Sequence, residues 1–148
     1  MRIEYFTDIQ EEFIRRAHDA IWCAAATVNL QDRTRSRVLH PIWAGQTGWV
    51  GTFRESHKAK HLAHNPYMSL AYLKDPFAPV YVDCRAEWVD ALEEKQYALD
   101  LITQTPPPLG YDIGEMKATD VAFGVLKLIP WRIELATYGS ESKIWHAE

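Results

Sequence analysis

The sequence predicts a mainly β fold, an antiparallel barrel or Greek key with α-helices inserted between its strands. Three observations predict it: the apolar stretches are short, several follow each other through brief polar turns, and one of them alternates with a period of two. A length of 148 residues with 47% hydrophobic side chains fits one domain, 1–148, with a core of its own. A doubly wound nucleotide-binding fold is excluded, because no Gly-x-Gly-x-x-Gly or Gly-x-x-x-x-Gly-Lys motif follows a predicted strand.

The first third of the chain predicts one helix and three strands. Thr7 and Gln10 have capping-box spacing ahead of apolar residues at helical intervals, which predicts a helix over 8–20. Three strands are predicted after it, over 22–30, 35–43 and 49–53. The turns between them are Gln31–Asp32 and the glycine-containing segment 44–48. Since the connections are short, these strands are expected to form an antiparallel meander.

The rest of the chain predicts two helices and four strands. Ser56 is expected to cap a short helix that ends near His64, because Asn65 and Pro66 stop it. A second helix is predicted over 92–103, before the proline-rich loop that starts at Pro106. The strands are predicted over 67–73, 80–89, 121–129 and 131–137, with Pro130 separating the last two.

Composition and charge narrow the class of ligand. Residues 31–64 carry six basic against two acidic side chains, a charge of +4, although the whole chain carries −4. A local basic patch in an acidic protein suits a small anionic ligand better than a nucleic acid, which requires a broader positive field. The chain has no apolar run long enough for a membrane span, and its N-terminus does not resemble a signal peptide. With only Cys23 and Cys84, both in apolar stretches, the sequence favours a cytoplasmic, reducing location.

Two segments of this basic window are candidate anion sites. Arg33, Arg35 and Arg37 share one face of an extended strand, where their guanidinium groups suit a phosphate or carboxylate. The alternative for these three is a solvated edge strand protected from aggregation by charge. In the second segment, Ser56 starts a helix whose free N–H groups attract anions, and Lys58 lies in its first turn. A cation at this end of a helix is unfavourable without a ligand, so the two segments together favour a bound phosphate.

Metal and nucleophile chemistry are poorly supported by the sequence. His57, His61 and His64 follow one helical face, but about 10 Å of helix separates the outer two, too far for ligands of one ion. No Gly-x-Ser-x-Gly or His-Glu-x-x-His motif is present. We therefore expect no metal and identify no catalytic residue. The six Trp, seven Tyr and five Phe exceed what a small core needs, which indicates a stacked ligand, a subunit interface or both.

The middle of the chain resembles the pyridoxamine 5'-phosphate oxidase-like, FMN-binding split-barrel family. The resemblance is carried by AAATVNL, RSRVLHPIW, GWVGTF and SHKAKHLAHNPYMSLAY in this order, and by the closing FGVLKLIPWRIEL. Its most specific element is a strand ending in Gly-Thr, then Ser-x-Lys, then a helix ending in Asn-Pro. The resemblance implies an antiparallel Greek-key split barrel that works as a homodimer, with FMN at the interface and a small-molecule substrate.

Site residues follow from the resemblance by position. Arg37, with Arg35, and Lys58 are expected to hold the cofactor phosphate, with Ser56 and His57 as donors beside it. His57 stands where an arginine is common in the true oxidases. The other expected cofactor contacts are Val38, Leu39 and His40 along the isoalloxazine, Gly51 and Thr52 beneath the ribityl chain and ring, and Trp145 from the partner.

Two departures from the family leave the reaction open. The chain lacks the arginine-containing C-terminal motif with which the true oxidases bind pyridoxal phosphate, and it inserts the helix and proline-rich loop of 92–118. Leu109 and Tyr111 of that loop are candidate lid residues over the substrate. The expected function is an FMN-dependent oxidoreductase. The alternatives are a deazaflavin-dependent reductase on the same fold and a non-catalytic flavin- or haem-binding module.

Overall fold

A computed structural model describes residues 1–147 and shows nine strands and three α-helices within that range. The strands are β1 Arg2–Ile3, β2 Cys23–Val28, β3 Thr34–Leu39, β4 Ile42–Ala44, β5 Thr47–Phe53, β6 Tyr67–Tyr72, β7 Val80–Trp88, β8 Phe123–Leu135 and β9 Lys143–His146. The helices are α1 Gln10–Ala20, α2 His57–His64 and α3 Leu92–Gln104. The mainly β architecture with inserted helices is the one that the sequence predicts.

One sheet joins all nine strands. Its order is β1-β9-β8-β7-β6-β2-β3, and β5 adds to β8 with β4 on its outer side. The strand pairs are antiparallel, apart from the short parallel pair of β1 with β9. The first half of β8 pairs with β5 and the second half with β9, while β7 follows most of its length. Because β8 is shared in this way, the sheet curls around its core as a split barrel.

The core has two parts, one inside the barrel and one beneath α3. Inside, β7 buries Val80, Val82, Cys84 and Ala86 and turns the alternate residues outwards, as the predicted alternation requires. Helix α1 covers this part with the fully buried Phe13. The second part joins Ile102 of α3 to Trp49 and Phe123 on the outer face of β5 and β8. The inserted helix is therefore packed onto the barrel wall.

Helix α2 begins as the sequence predicts, whereas α1 does not. The Ser56 hydroxyl accepts a hydrogen bond from Ala59 N–H at 3.2 Å, and the helix ends at His64 before Asn65. The predicted capping box at Thr7 is wrong: Thr7 lies in a 3₁₀ turn, and Ile9 precedes α1 without a side-chain cap. Burial of Phe6 and Ile9 sets this start, since packing outweighs one capping hydrogen bond.

The predicted strand over 35–43 is divided in the structure. It separates at His40–Pro41 into β3 and β4, because proline has no N–H to continue the ladder. β3 pairs with β2 only, and β5 pairs with β4 and β8. β4 and β5 form the next antiparallel hairpin, so both predicted hairpins are present, and the predicted meander is wrong only in treating its divided middle strand as continuous.

Pro130 does not separate two strands, contrary to the prediction, and β8 continues through it. The proline pairs with Cys84 of β7, where the register shifts between Asp83 and Cys84. A bulge of this kind accommodates a residue without an N–H, which explains why the strand survives. The short strands β1 and β9 had no prediction, because two and four residues are too few to show a period. No helix within residues 1–147 is long and apolar enough to cross a bilayer.

Candidate functional site

Lys58 is a buried cation whose partners in the described part of the chain are neutral. It lies in the first turn of α2 and is 7% exposed. Its Nζ donates to Thr52 Oγ1 at 2.7 Å and to Ser56 Oγ at 3.4 Å. Burial lowers the pKa of the Lys58 ammonium, and the charge of Arg37 lowers this pKa further. Buried lysines in proteins usually pair with an anion. The surroundings of Lys58 are therefore those expected of a lysine whose anionic partner is a ligand.

Arg37 lies on β3 beside this lysine and is also bound by neutral groups. Its Nη1 donates to Thr27 Oγ1 at 2.7 Å, and its Nη2 lies 3.3 Å from His61 Nδ1. Burial lowers the pKa of the Arg37 guanidinium, and the charge of Arg35 lowers this pKa further. Among residues 1–147, the ion pairs of the structure include neither Arg37 nor Lys58.

The strand register explains why these groups meet. In the β2–β3 ladder Arg35 is opposite Thr27 and Arg37 is opposite Ala25, so both arginines share the face that carries buried Thr27. Arg35 is exposed, and Arg33 precedes the strand, where its N–H binds Asn29 Oδ1. Of the predicted row of three arginines, Arg35 and Arg37 lie on β3, and Arg33 lies immediately before it.

Ser56 and His57 stand at the edge of this basic cluster. Ser56 Oγ joins the cap of α2 to the Lys58 ammonium. His57 is exposed, and its charge contributes to the lowered pKa of His61. The structure therefore brings four of the predicted phosphate residues, Arg35, Arg37, Ser56 and Lys58, to one place with His57 beside them. This arrangement combines positive charge, hydroxyl donors and a helix N-terminus, which are the groups that proteins use to bind anions.

The three residues predicted along the flavin ring have different environments. Val38 is 66% exposed on the outer face of β3, whereas Leu39 packs against the barrel core. His40 lies between two aromatic rings, with centroid distances of 4.4 Å to Trp22 and 4.9 Å to Tyr111. Its Nδ1 is buried without a hydrogen-bond partner within the described part of the chain, and burial lowers the pKa of His40.

A cleft of about 290 Å³ lies against Gly51 and Thr52 on β5. Its other lining residues are Phe53, Tyr111, Ile113, Met116, Ala122 and Phe123. A Cβ atom at Gly51 would stand 2.9 Å from Ile102 Cδ1 and 3.2 Å from Tyr111 Oη, so a side chain there would displace the Ile102 side chain. The inserted segment thus supplies one wall of the cleft, and Thr52 connects it to Lys58.

The prediction for Trp145 is wrong. Its side chain is 4% exposed and belongs to the barrel core, where its ring contacts Phe6 edge-on at 5.5 Å between centroids. The pairing of β9 with both β1 and β8 turns this residue inwards at Ile133. A buried core tryptophan is not available to a cofactor in a partner subunit.

Sequence reasoning missed Thr27 and His61, which both contact Arg37 in the structure. From the sequence, His61 is a candidate metal ligand and Thr27 belongs to an apolar strand. The signal for Thr27 was available, because a hairpin turning at Gln31–Asp32 places it opposite Arg35. The helical histidines separate in the structure: His61 is buried, and His64 Nε2 lies 2.9 Å from Asp32 Oδ1.

Other reactive groups lie away from this cluster. Cys23 and Cys84 are free and buried; burial raises the pKa of Cys23 to about 12 and also raises that of Cys84. Within residues 1–147 no three His, Cys, Asp or Glu side chains are grouped to hold a metal ion. An open groove of about 920 Å³ beside α3 contains none of the predicted site residues; its walls include Leu92, Tyr97 and Met116.

Solved structures with the same fold are numerous, although their sequences differ widely from this one. A NimC/NimA family protein from Clostridium acetobutylicum has a TM-score of 0.77 at 14% identity, covering 97% of this chain and 94% of its own. A putative pyridoxamine 5'-phosphate oxidase from Listeria innocua has a TM-score of 0.70 at 16% identity, covering 86% and 97%. No protein-family model matches the sequence, and no curated protein matches it.

Two further solved structures, an F420 reductase and a heme storage protein, have the same fold. An F420 reductase has a TM-score of 0.61 at 14% identity, covering 77% of this chain and 89% of its own. The heme storage protein HutZ from Vibrio cholerae has a TM-score of 0.66 at 17% identity, covering 86% and 94%. At these identities the likeness establishes the fold, and the predicted split barrel of the pyridoxamine 5'-phosphate oxidase-like proteins is confirmed.

Proposed function

We propose that this protein is an FMN-binding oxidoreductase that works as a homodimer on a small-molecule substrate. The single observation that carries the proposal is the pair of cations Lys58 and Arg37, buried and half-buried, which hydroxyl and imidazole groups hold without a carboxylate from residues 1–147. A phosphate monoester supplies the missing negative charge and accepts several charge-assisted hydrogen bonds at once.

The residues present fit FMN at both ends. Arg37, Arg35, Lys58 and the cap of α2 would hold the phosphate. The cleft beside Gly51 and Thr52, with Tyr111 in its wall, offers an apolar surface for a ring system. FMN when bound supplies the redox chemistry, so the protein needs to provide position, electrostatics and exclusion of water. This division of labour accounts for the lack of a recognisable catalytic triad in the sequence.

The homodimer is proposed from exposed surface next to this site. Val38 on β3 and Phe53 on β5 are apolar side chains that are 66% and 69% exposed. They follow Arg37 and Thr52 directly in the sequence, so they lie next to the proposed anion site. β3 is the last strand of its side of the sheet. A second copy covering these residues would enclose the cofactor between two barrels. We also propose a cytoplasmic location, as the sequence favours.

A deazaflavin coenzyme is the second candidate, because the F420 reductase shares the fold and its coenzyme would need the same phosphate grip. A non-catalytic flavin- or haem-binding role is the third, supported by the fold of HutZ. The absorption spectrum of the purified protein separates these candidates, since flavin, deazaflavin and haem absorb differently. Turnover with a reduced nicotinamide and any acceptor distinguishes an enzyme from a storage module.

Titration with matched ligands tests the phosphate site itself. We expect FMN to bind more tightly than riboflavin, which differs only in lacking the phosphate. Lys58→Ala should weaken FMN binding about tenfold or more, because it removes a charge-assisted bond of ~1.5–3 kcal/mol. The control is Lys60→Ala, an exposed lysine on the same helix. Equal affinity for FMN and riboflavin, or unchanged FMN affinity in Lys58→Ala, would reject the proposed site.

A further inference from the structure

The Arg37 guanidinium is held in place by two side chains that carry no charge. Its Nη1 donates to Thr27 Oγ1 at 2.7 Å, and its Nη2 lies 3.3 Å from His61 Nδ1. Thr27 Oγ1 is itself 3.1 Å from the same Nδ1. Thr27 is 1% exposed and His61 5% exposed, so this contact triangle lies at the base of the anion site.

The chemistry of arginine decides which form of His61 is present. A guanidinium only donates hydrogen bonds, so the imidazole Nδ1 that faces it must accept. His61 is therefore neutral and carries its ring proton on Nε2. Burial lowers the pKa of His61, and the charges of Arg37, Arg35 and His57 lower it further, which favours the same neutral form. The Thr27 hydroxyl accepts from Arg37 and is free to donate its own proton towards Nδ1.

Neutral partners suit an arginine that must bind an anion. A carboxylate in the place of Thr27 or His61 would orient the guanidinium equally well, but it would also cancel the charge. An arginine without any partner would keep its charge but would lose side-chain freedom when it binds a ligand. The observed arrangement avoids both costs, since it restrains Arg37 and leaves its positive charge and remaining N–H groups available.

We infer that Thr27 and His61 are positioning residues, which orient Arg37 for the phosphate of the cofactor. This inference rests on the proposed function, because it assigns these residues to the same anion site. It makes a specific demand: their effect must appear only with ligands that carry the phosphate.

The experiment compares FMN and riboflavin affinities in four variants with intact secondary structure by circular dichroism. His61→Leu and Thr27→Val remove the acceptors, whereas His61→Asn and Thr27→Ser keep a neutral acceptor in the same region. Loss of one hydrogen bond corresponds to roughly threefold to tenfold in affinity. We expect this loss for FMN in His61→Leu and Thr27→Val, unchanged riboflavin affinity, and recovery of much of the FMN affinity in His61→Asn and Thr27→Ser.

The outcomes separate this inference from the proposed function. Equal loss for FMN and riboflavin in either acceptor-removing variant would assign Thr27 and His61 a purely structural role and overturn the inference. An unchanged ratio of the two affinities in both variants would also overturn it, while leaving the phosphate site of the wild-type protein intact. A wild-type protein that does not prefer FMN over riboflavin would reject the proposed function, and the inference with it. If His61→Leu does not fold, the Thr27→Val and Thr27→Ser pair decides.

Discussion

We expect the buried charge of Lys58 to lower the stability of the ligand-free protein, and replacement of Lys58 by methionine tests this. The ammonium is buried with two neutral acceptors and lies close enough to Arg37 for the arginine charge to lower its pKa. Desolvating an ammonium costs several kcal/mol, and its hydrogen bonds to two neutral hydroxyls, one of them long at 3.4 Å, offset only part of this cost. Methionine keeps most of the apolar stem without the charge. We expect Lys58→Met to raise the free energy of unfolding by about 1 kcal/mol.

The assay is urea unfolding of the cofactor-free protein, with Lys60→Met as the matched control. With an m-value of about 1–3 kcal/mol/M, 1 kcal/mol shifts the urea midpoint by roughly 0.3–1 M. The exposed Lys60 lies two residues further along α2, so its replacement should change stability by less than about 0.5 kcal/mol. A gain confined to Lys58→Met would show that the fold tolerates the buried cation for the sake of binding.

Adding FMN should remove this advantage. At a concentration about 100 times its dissociation constant, FMN stabilises the wild-type protein by about 2.7 kcal/mol. A variant that binds tenfold more weakly gains only about 1.4 kcal/mol at the same concentration. The reasoning is refuted if Lys58→Met is less stable than the wild type without ligand, or if FMN stabilises both proteins equally.

Three further predictions concern the core and its titrating groups. Trp145→Ala should lower the free energy of unfolding by about 3–5 kcal/mol in urea titrations, because it leaves a cavity in the barrel core. The FMN affinity of the folded protein should not change. A loss of FMN affinity without a loss of stability would show that Trp145 contacts the cofactor. Tyr72→Phe removes the acceptor of the buried Trp43 indole N–H, so we expect a loss of about 1–3 kcal/mol, and no loss would mean that another acceptor is available. His18 Nε2 accepts the Trp43 backbone N–H, and burial holds the pKa of His18 below its usual 6.5. The unfolded chain therefore binds this proton at a higher pH than the folded one. Stability should be full above pH 6.5 and should fall as the pH is lowered towards the folded-state pKa. The fall should be less steep in His18→Gln, which keeps a neutral acceptor. An equal pH slope in the wild type and His18→Gln would contradict this assignment.

Local signals in the sequence predicted α2, α3 and the strands around them. Ser56 caps its helix, Asn65 and Pro66 end it, and the alternation in β7 identifies its buried face. These features depend on residues within a few positions of each other. Lys58 in the first turn of α2 indicated an anion by the same kind of local argument, since it opposes the helix dipole.

Features that depend on distant partners were predicted wrongly or missed. Pro130 looks like a strand break until β7 supplies a bulge opposite it. Trp145 looks like a free aromatic in a tail until β1 and β8 pair on both sides of β9 and turn it inwards. Pro41 is a local signal that the predicted strand over 35–43 did not use, whereas the pairing of β5 with β8 joins segments that are far apart in the chain.

The sequence by itself determined the fold class and indicated the cluster of basic and hydroxyl side chains around Arg37 and Lys58, because short strands, turns, a helix cap and a basic window are local properties. Only the tertiary structure decided which cations meet and in what state. Lys58 is buried against Thr52, and Arg37 is held by Thr27 and His61 from another strand and a helix. Burial and neighbouring charge set the pKa values of these groups, and both depend on contacts between residues that are far apart in the chain.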